Sequence, residues 1–417
     1  MVLPNELVEP ILENLYSDKS TLLNCALVGR AWAPASQRGI FQQIVLRLPF
    51  PQADKDFATV ADAYLKANGR LVEILDENSR LVFYVRRLEL REFVIWDSED
   101  LVAYEPIHNS TAELILRLSS VEELSFEQVR WDPLPPMLKE ALTNMLKAPQ
   151  LTGISLGLIV SDKFADVVSL LSHATNLKVL KLEVVRCSNW DITPRTDNVA
   201  TRSIQLDRLV LKLEDTPFTT FSLADWLQQK SCPFEVRHLL SLRIQYSANL
   251  DYHRAASMLD YVGDSLRELQ LVTGNPMQAE ALNVLHLGHT SNLHILKLFR
   301  VMQDDSYTPV PWIQSLFKPF IESGRRCPLQ HLTIELLVGH SDALETPQWE
   351  QWVALDKLFK KPQFASLESV NVIMVGMNPM PNGVVESLSG KLLFLKQSRK
   401  LKATFRLLTG MTDTMVY

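Results

Sequence analysis

Chemistry in a chain of this kind would need histidines, cysteines or carboxylates at spacings that bring them together. Of the nine histidines, His286, His289 and His294 come closest to a group. The first two are expected on one helix edge, and spacings of three and five residues do not suit one metal ion. Cys25, Cys187, Cys232 and Cys327 stand far apart with no CxxC pair. They read as reduced structural thiols of a cytoplasmic or nuclear protein. There is no HExxH, no P-loop, no GxGxxG after a strand and no GxSxG turn. With 14 glycines, a phosphate-cradling loop has little to be built from. The acidic run Asp97 to Asp100 reads as a solvated loop face. No catalytic residue, metal or cofactor is expected, and the chain reads as a non-enzyme.

The elements must therefore position a recognition surface. The 417 residues are 47% apolar and 22% charged, which describes a globular chain rather than a disordered one. The net charge of -6, with no long run of Lys or Arg, argues against nucleic acid as the main partner. No leader with a basic and then an apolar segment is read, and no apolar run approaches the ~18 residues that span a bilayer.

From Val85 onward one pattern returns: an apolar residue, then LxL three positions later. "VRRLEL", "VEELSF", "LTGISL", "LKVLKL" and "LDRLVL" begin at Val85, Val121, Leu151, Leu177 and Leu206. "LLSLRI", "LRELQL", "LHILKL", "LQHLTI" and "LESVNV" follow at Leu239, Leu266, Leu293, Leu329 and Leu367, ten copies in all. An eleventh, near "LKATFRL", breaks the pattern as a terminal cap would. Between copies lie helical stretches such as "KFADVVSLLSHA". Strand–helix units in series predict a parallel sheet with helices on one side. Charge alternates with leucine in Arg87-Leu88-Glu89-Leu90-Arg91, so one sheet face is wet. Barrel strands, buried on both faces, do not alternate in this way. An open, curved solenoid is expected, and its pattern resembles leucine-rich repeats of irregular length.

The first 48 residues differ. Leu7, Ile11 and Leu15 recur at four-residue intervals, with Leu12 beside them. Pro4 suits a first helical turn, and Pro10 bends that helix or delays its start. Ser17-Asp18 reads as a break and an N-cap, followed by Leu22, Leu23, Ala26, Leu27 and Val28, then "GRAW" and "GIFQQIVLRL". These three short helices carry more apolar side chains than they can bury among themselves, and a strand is read from Ile44 to Leu48. The series Leu3-Pro4, Glu6-Leu7, Ile11-Leu12, Leu15, Leu22-Leu23, Ala26-Leu27-Val28, Arg30, Trp32 and Phe41 resembles an F-box.

That resemblance implies a three-helix module docking a Skp-family adaptor, and through it a cullin–RING ubiquitin ligase of the SCF type. It makes Leu3, Pro4, Leu7, Ile11, Leu15, Leu23, Leu27, Val28 and Trp32 the docking candidates. The expected fold is α/β: F-box-like helices over 1–48, a helical linker over 49–84, and a leucine-rich-repeat solenoid over 85–417. The chain then reads as a substrate-recognition subunit holding an unknown protein. The alternative is a leucine-rich-repeat scaffold with no ligase role, whose N-terminal helices only cap the repeats.

Alternation along the strands identifies the outward residues. Of thirty such positions seven are basic and six acidic, a mixed face suited to another protein. The copy Gly153-Ile154-Ser155-Leu156-Gly157 is bare, which either admits a ligand to the backbone or relieves crowding. Arg243, Ile295, Lys297 and Phe299 complete the substrate candidates, with Val272 and Ile373 expected to be wet beside them. Insertions after three strands carry Trp190, Trp312, Trp349 and Trp352, as interface anchors or as pins for their loops.

Overall fold

The computed structural model describes residues 5–50, 56–94, 101–191, 204–213, 223–246, 250–273, 284–338, 346–376 and 383–407. Leu3, Pro4, the acidic run at 97–100 and most of the insertion at 187–203 lie outside them. The chain divides into two compact units, 1–204 and 205–417. Each contains a parallel sheet.

The first unit begins with α1 (Asn5–Glu13), α2 (Lys19–Val28) and α3 (Ala33–Phe41). Asp18 caps α2, its carboxylate accepting from the Thr21 N–H at 3.0 Å. Pro10 lies inside α1 and removes one backbone donor. Packing offsets that loss, because Val8 and Leu12 on the inner side of α1 join Leu22 and Ala35 in one buried cluster. Burying each such side chain stabilises by about 1.5–3 kcal/mol. Gly39 permits the close fit of α3: a Cβ there would stand 2.5 Å from Tyr16 Cδ1 and 2.7 Å from Leu22 Cδ1. An ion pair between Glu9 and Arg38 joins α1 to α3.

Five strands follow in sequence order across the first sheet: β1 (Gln43–Arg47), β2 (Arg87–Arg91), β3 (Glu123–Glu127), β4 (Gly153–Leu156) and β5 (Val179–Leu182). All their pairings are parallel, with Ile44, Leu88, Leu124, Ile154 and Leu180 in one row. Helices α4 (Phe57–Glu77), α5 (Leu101–Arg117), α6 (Pro136–Leu146) and α7 (Phe164–Ser172) lie between strands. The Tyr64 and Thr111 hydroxyls, 2.8 Å apart, join α4 to α5.

The second unit repeats this plan with β6 (Arg208–Leu213), β7 (Ser241–Tyr246), β8 (Glu268–Thr273), β9 (Ile295–Gln303), β10 (His331–Val338), β11 (Ser369–Gly376) and β12 (Leu401–Leu407), again parallel and in sequence order. Right-handed crossovers between strands laid down in order put every connecting helix on the same sheet face. The leucines face that side, and Leu209, Leu242, Leu269 and Leu296 are wholly buried. The residues alternating with them are mostly half-buried. Neither sheet closes into a barrel: among the described residues β1 and β12 each have a strand neighbour on one side only.

Beyond the ten copies, the two sheets take in the strand read at 44–48 and the broken eleventh copy near "LKATFRL". The strand read at 44–48 is β1, one residue earlier at each end, and Phe41, Ile44 and Leu46 repeat the pattern in register with Val85, Leu88 and Leu90. At the other end β12 keeps register with β11, and the pattern only looked broken because Ser398 and Ala403 stand where larger apolar residues do. His286 and His289 occupy a turn rather than a helix edge, their rings stacked 5.4 Å apart.

Candidate functional site

Two surfaces compete for this role, and the first is on α1 and α2. A four-residue step along a helix returns to the same face. Leu7 and Ile11 thus share a face of α1 while Val8 and Leu12 share the inner one. All four fall as that geometry requires: the first pair exposed, the second buried. On α2, Leu22 is buried whereas Leu23 is 56% and Leu27 85% exposed, with Val28 also exposed. Leu15 and Trp32, half-buried, pack against the internal cluster, so part of their apolar surface is used inside the unit. Of the docking candidates among the described residues, Leu7, Ile11, Leu23, Leu27 and Val28 remain turned outward.

The second surface is the sheet face opposite the leucines. In the first unit it is a lattice of opposite charges. Arg87 meets Glu123 at 3.0 Å, and Glu89 takes Arg91 on one oxygen and the Gln43 amide on the other, the latter at 3.0 Å. Arg47 pairs with Glu92 and holds its carboxyl below the ordinary range, chiefly by their hydrogen bond. Glu127 shifts the other way, raised by burial and by the nearby Glu89 carboxylate, with Arg91 opposing. Gly153 is buried beneath the Glu123 side chain, whose Cγ would stand 3.0 Å from an added Cβ. A Cβ on Gly157 would meet the Phe126 carbonyl at 3.3 Å. Small residues in this copy make room for their neighbours, and Ser155 between them is half-buried.

In the second unit Arg243, Ile295, Lys297 and Phe299 come together on β7 and β9, on either side of β8. The Arg243 guanidinium lies 5.8 Å from the centre of the Phe299 ring. Lys297 Nζ donates to Glu268 Oε1 at 2.7 Å, and the Gln270 amide reaches the same oxygen at 2.8 Å. Burial alone would raise the Glu268 carboxyl, but these two donors outweigh it and leave the group lowered. Glu268 is thus the hub of this patch. Sequence reading missed that role, although aligning neighbouring copies places Glu268 diagonal to Lys297. Val272 is 2% exposed rather than wet, in register between Gln245 and Phe299. Ile373 is half-buried as an outward position.

The loop tryptophans point inward. Trp312, Trp349 and Trp352 are fully buried, and Trp352 Nε1 donates to Gln303 Oε1 at 3.0 Å. Trp190 packs against Phe164 with ring centres 4.8 Å apart and ring planes tilted by 33°. Three of the four therefore pin their segments to the core. Among the described residues no three His, Cys, Asp or Glu side chains gather as metal ligands, and no helix is long and apolar enough to cross a membrane. The chain matches no protein-family model and no curated protein sequence.

Proposed function

We propose that this chain is the substrate-recognition subunit of a cullin–RING ubiquitin ligase. Its F-box-like helices α1 to α3 would dock a Skp-family adaptor, and its strand–helix repeats, an open leucine-rich-repeat solenoid, would hold a substrate protein. Catalysis would belong to the other subunits, with this chain supplying proximity and orientation. The observation that carries the reading is the division of leucines on α1 and α2. Val8, Leu12 and Leu22 complete a core, so the exposed Leu7, Ile11, Leu23, Leu27 and Val28 form a second apolar surface that the packing among the described residues does not use. Clustered exposure of this kind marks a site of protein contact.

One observation favours the scaffold reading instead. β1 follows α3 directly and pairs with β2, so the three helices are continuous with the sheet as capping helices would be. A cap, however, turns its leucines onto what it covers. Co-purification with a Skp adaptor separates the two readings, comparing wild type with a Leu23→Asp, Leu27→Asp double variant. Both side chains are exposed, so the variant should keep the wild-type circular dichroism. A stoichiometric complex abolished by the two changes supports docking. A folded, soluble wild type that forms no complex leaves the scaffold reading and removes the ligase one.

A further inference from the structure

A groove of about 810 Å³ lies in the second unit where β7, β8 and β9 begin. Its wall is made by the residue preceding each strand, Leu240, Arg267 and His294, with His238, Asn292 and Ile295 around them. Regular backbone spacing sets these three in line. The Leu240 carbonyl accepts from the N–H groups of Arg267 and Glu268, and the Arg267 carbonyl accepts from those of His294 and Ile295. Successive side chains along such an edge stand roughly 4.8 Å apart.

The charges are one-sided. Among the described residues no Asp or Glu lines the groove, and the exposed Arg267 has no ion pair or side-chain hydrogen bond. Of the carboxylates around it, Glu268 is engaged by Lys297, Asp264 by the Ser291 hydroxyl at 3.2 Å and Glu235 by the Arg237 N–H at 2.9 Å, while Asp207 precedes β6 on the far side of Leu240 from Arg267. Beside this guanidinium sit two imidazoles able to donate N–H bonds, and an apolar floor of Ile295 and Leu240, the latter 42% exposed. A guanidinium fork matches the paired oxygens of a carboxylate or phosphate. The groove's volume suits a few residues of chain, and Leu240 and Arg267 in its wall are exposed.

We propose that this groove binds an extended acidic peptide, Arg267 taking its side-chain anion while Leu240 and Ile295 take an adjacent apolar side chain. The groove belongs to the second unit and α1 and α2 to the first, and peptide binding there does not depend on adaptor docking.

The test uses the full chain and three immobilised peptide libraries, each with four degenerate positions on either side of a fixed phosphoserine, glutamate or alanine. Retention on an anionic library and not on the alanine one, with an apolar residue enriched next to the anion, is expected. Retention on phosphoserine alone identifies a phosphate as the source, and equal retention on glutamate identifies a carboxylate. Arg267→Ala should weaken retention at least tenfold, and Leu240→Asp should erase the apolar preference. The Leu23→Asp, Leu27→Asp variant should bind as wild type does, which keeps this test apart from the adaptor one. Equal retention on the alanine library, undiminished binding by Arg267→Ala, or displacement by a dT12 oligonucleotide as readily as by free peptide would each overturn the proposal. Should Arg267→Ala shift the unfolding midpoint, competition by phenyl phosphate against wild type decides instead, and failure to displace the peptide overturns it.

Discussion

Leu27, an apolar side chain on α2, stands 85% exposed, while Glu335, a charged one on β10, is only 6% exposed. This pair of regions inverts the usual placement of residue types. On the sheet faces many charges are answered by a neighbour from the same unit, as Glu335 is by Arg406 across two strands and Glu268 by Lys297. On α1 and α2, among the described residues, nothing apolar is answered beyond the internal cluster around Leu12 and Leu22. A surface that has settled its own electrostatics recognises a partner by shape and by exchanging existing pairs. A surface of unanswered leucines gains from any partner that excludes water.

The sharpest break of this contrast is to shorten one leucine from each side of α2. Leu22→Ala removes wholly buried methyls and should cost about 3 kcal/mol of stability in urea unfolding. Leu27→Ala should change stability by less than about 0.5 kcal/mol and act on adaptor binding alone. If the two cost the same, Leu27 belongs to the folded core and the outward face is not a docking surface.

The leucines that divide in this way could be read from the sequence, since a step of one residue turns a helix by a fixed angle. The same holds for ten of the strands, whose LxL repeat names the buried side directly. What escaped did so for physical reasons. Phe41 and Ser398 stand where leucine or valine leads the ten copies, so β1 reads as a strand but not as a repeat and β12 reads as a broken copy, although backbone pairing does not depend on those side chains. Val272 alternates correctly yet is covered, because neighbouring strands decide the exposure of an outward residue as much as its own register does. Gly153 looked open in one dimension and is closed by Glu123 from the next strand. The groove at Arg267 was illegible because its wall comes from three copies, each contributing one residue that the repeat does not constrain.

A second break concerns polar groups that have no answer inside. His108 on α5 is buried, neither ring nitrogen has a partner among the described residues, and the rings of Phe93 and Tyr104 lie edge-on at 6.0 and 6.4 Å. Burial pushes its pKa down to about 4. The unfolded chain, near the ordinary ~6.5, therefore takes up the proton first. The associated stability is complete above about pH 6.5 and is lost as pH falls toward about 4. Between pH 7 and pH 5 the loss should be about 2 kcal/mol. His108→Phe keeps the ring and removes the proton, so its stability should fall less over that range by this amount. Parallel slopes for wild type and variant would show that His108 can reach water when charged.

The smallest effects test whether a charge on the sheet face matters by being paired or by being buried. Arg406 is 60% exposed but answers the Glu335 side chain at 7%, whereas Arg87 and Glu123 are 52% and 53% exposed. Removing Arg406 strands a carboxylate that water reaches poorly, and Arg406→Ala should cost about 1–2 kcal/mol. Removing Arg87 leaves a carboxylate that water can solvate, and Arg87→Ala should cost less than about 0.5 kcal/mol. Added salt, 0.5 M against 0.05 M, should erase the Arg87 effect and leave most of the Arg406 effect, since screening acts on solvated pairs. Equal costs for the two would mean that burial of the carboxylate is irrelevant. The sheet face would then be an ordinary charged surface rather than one that has settled its own charges.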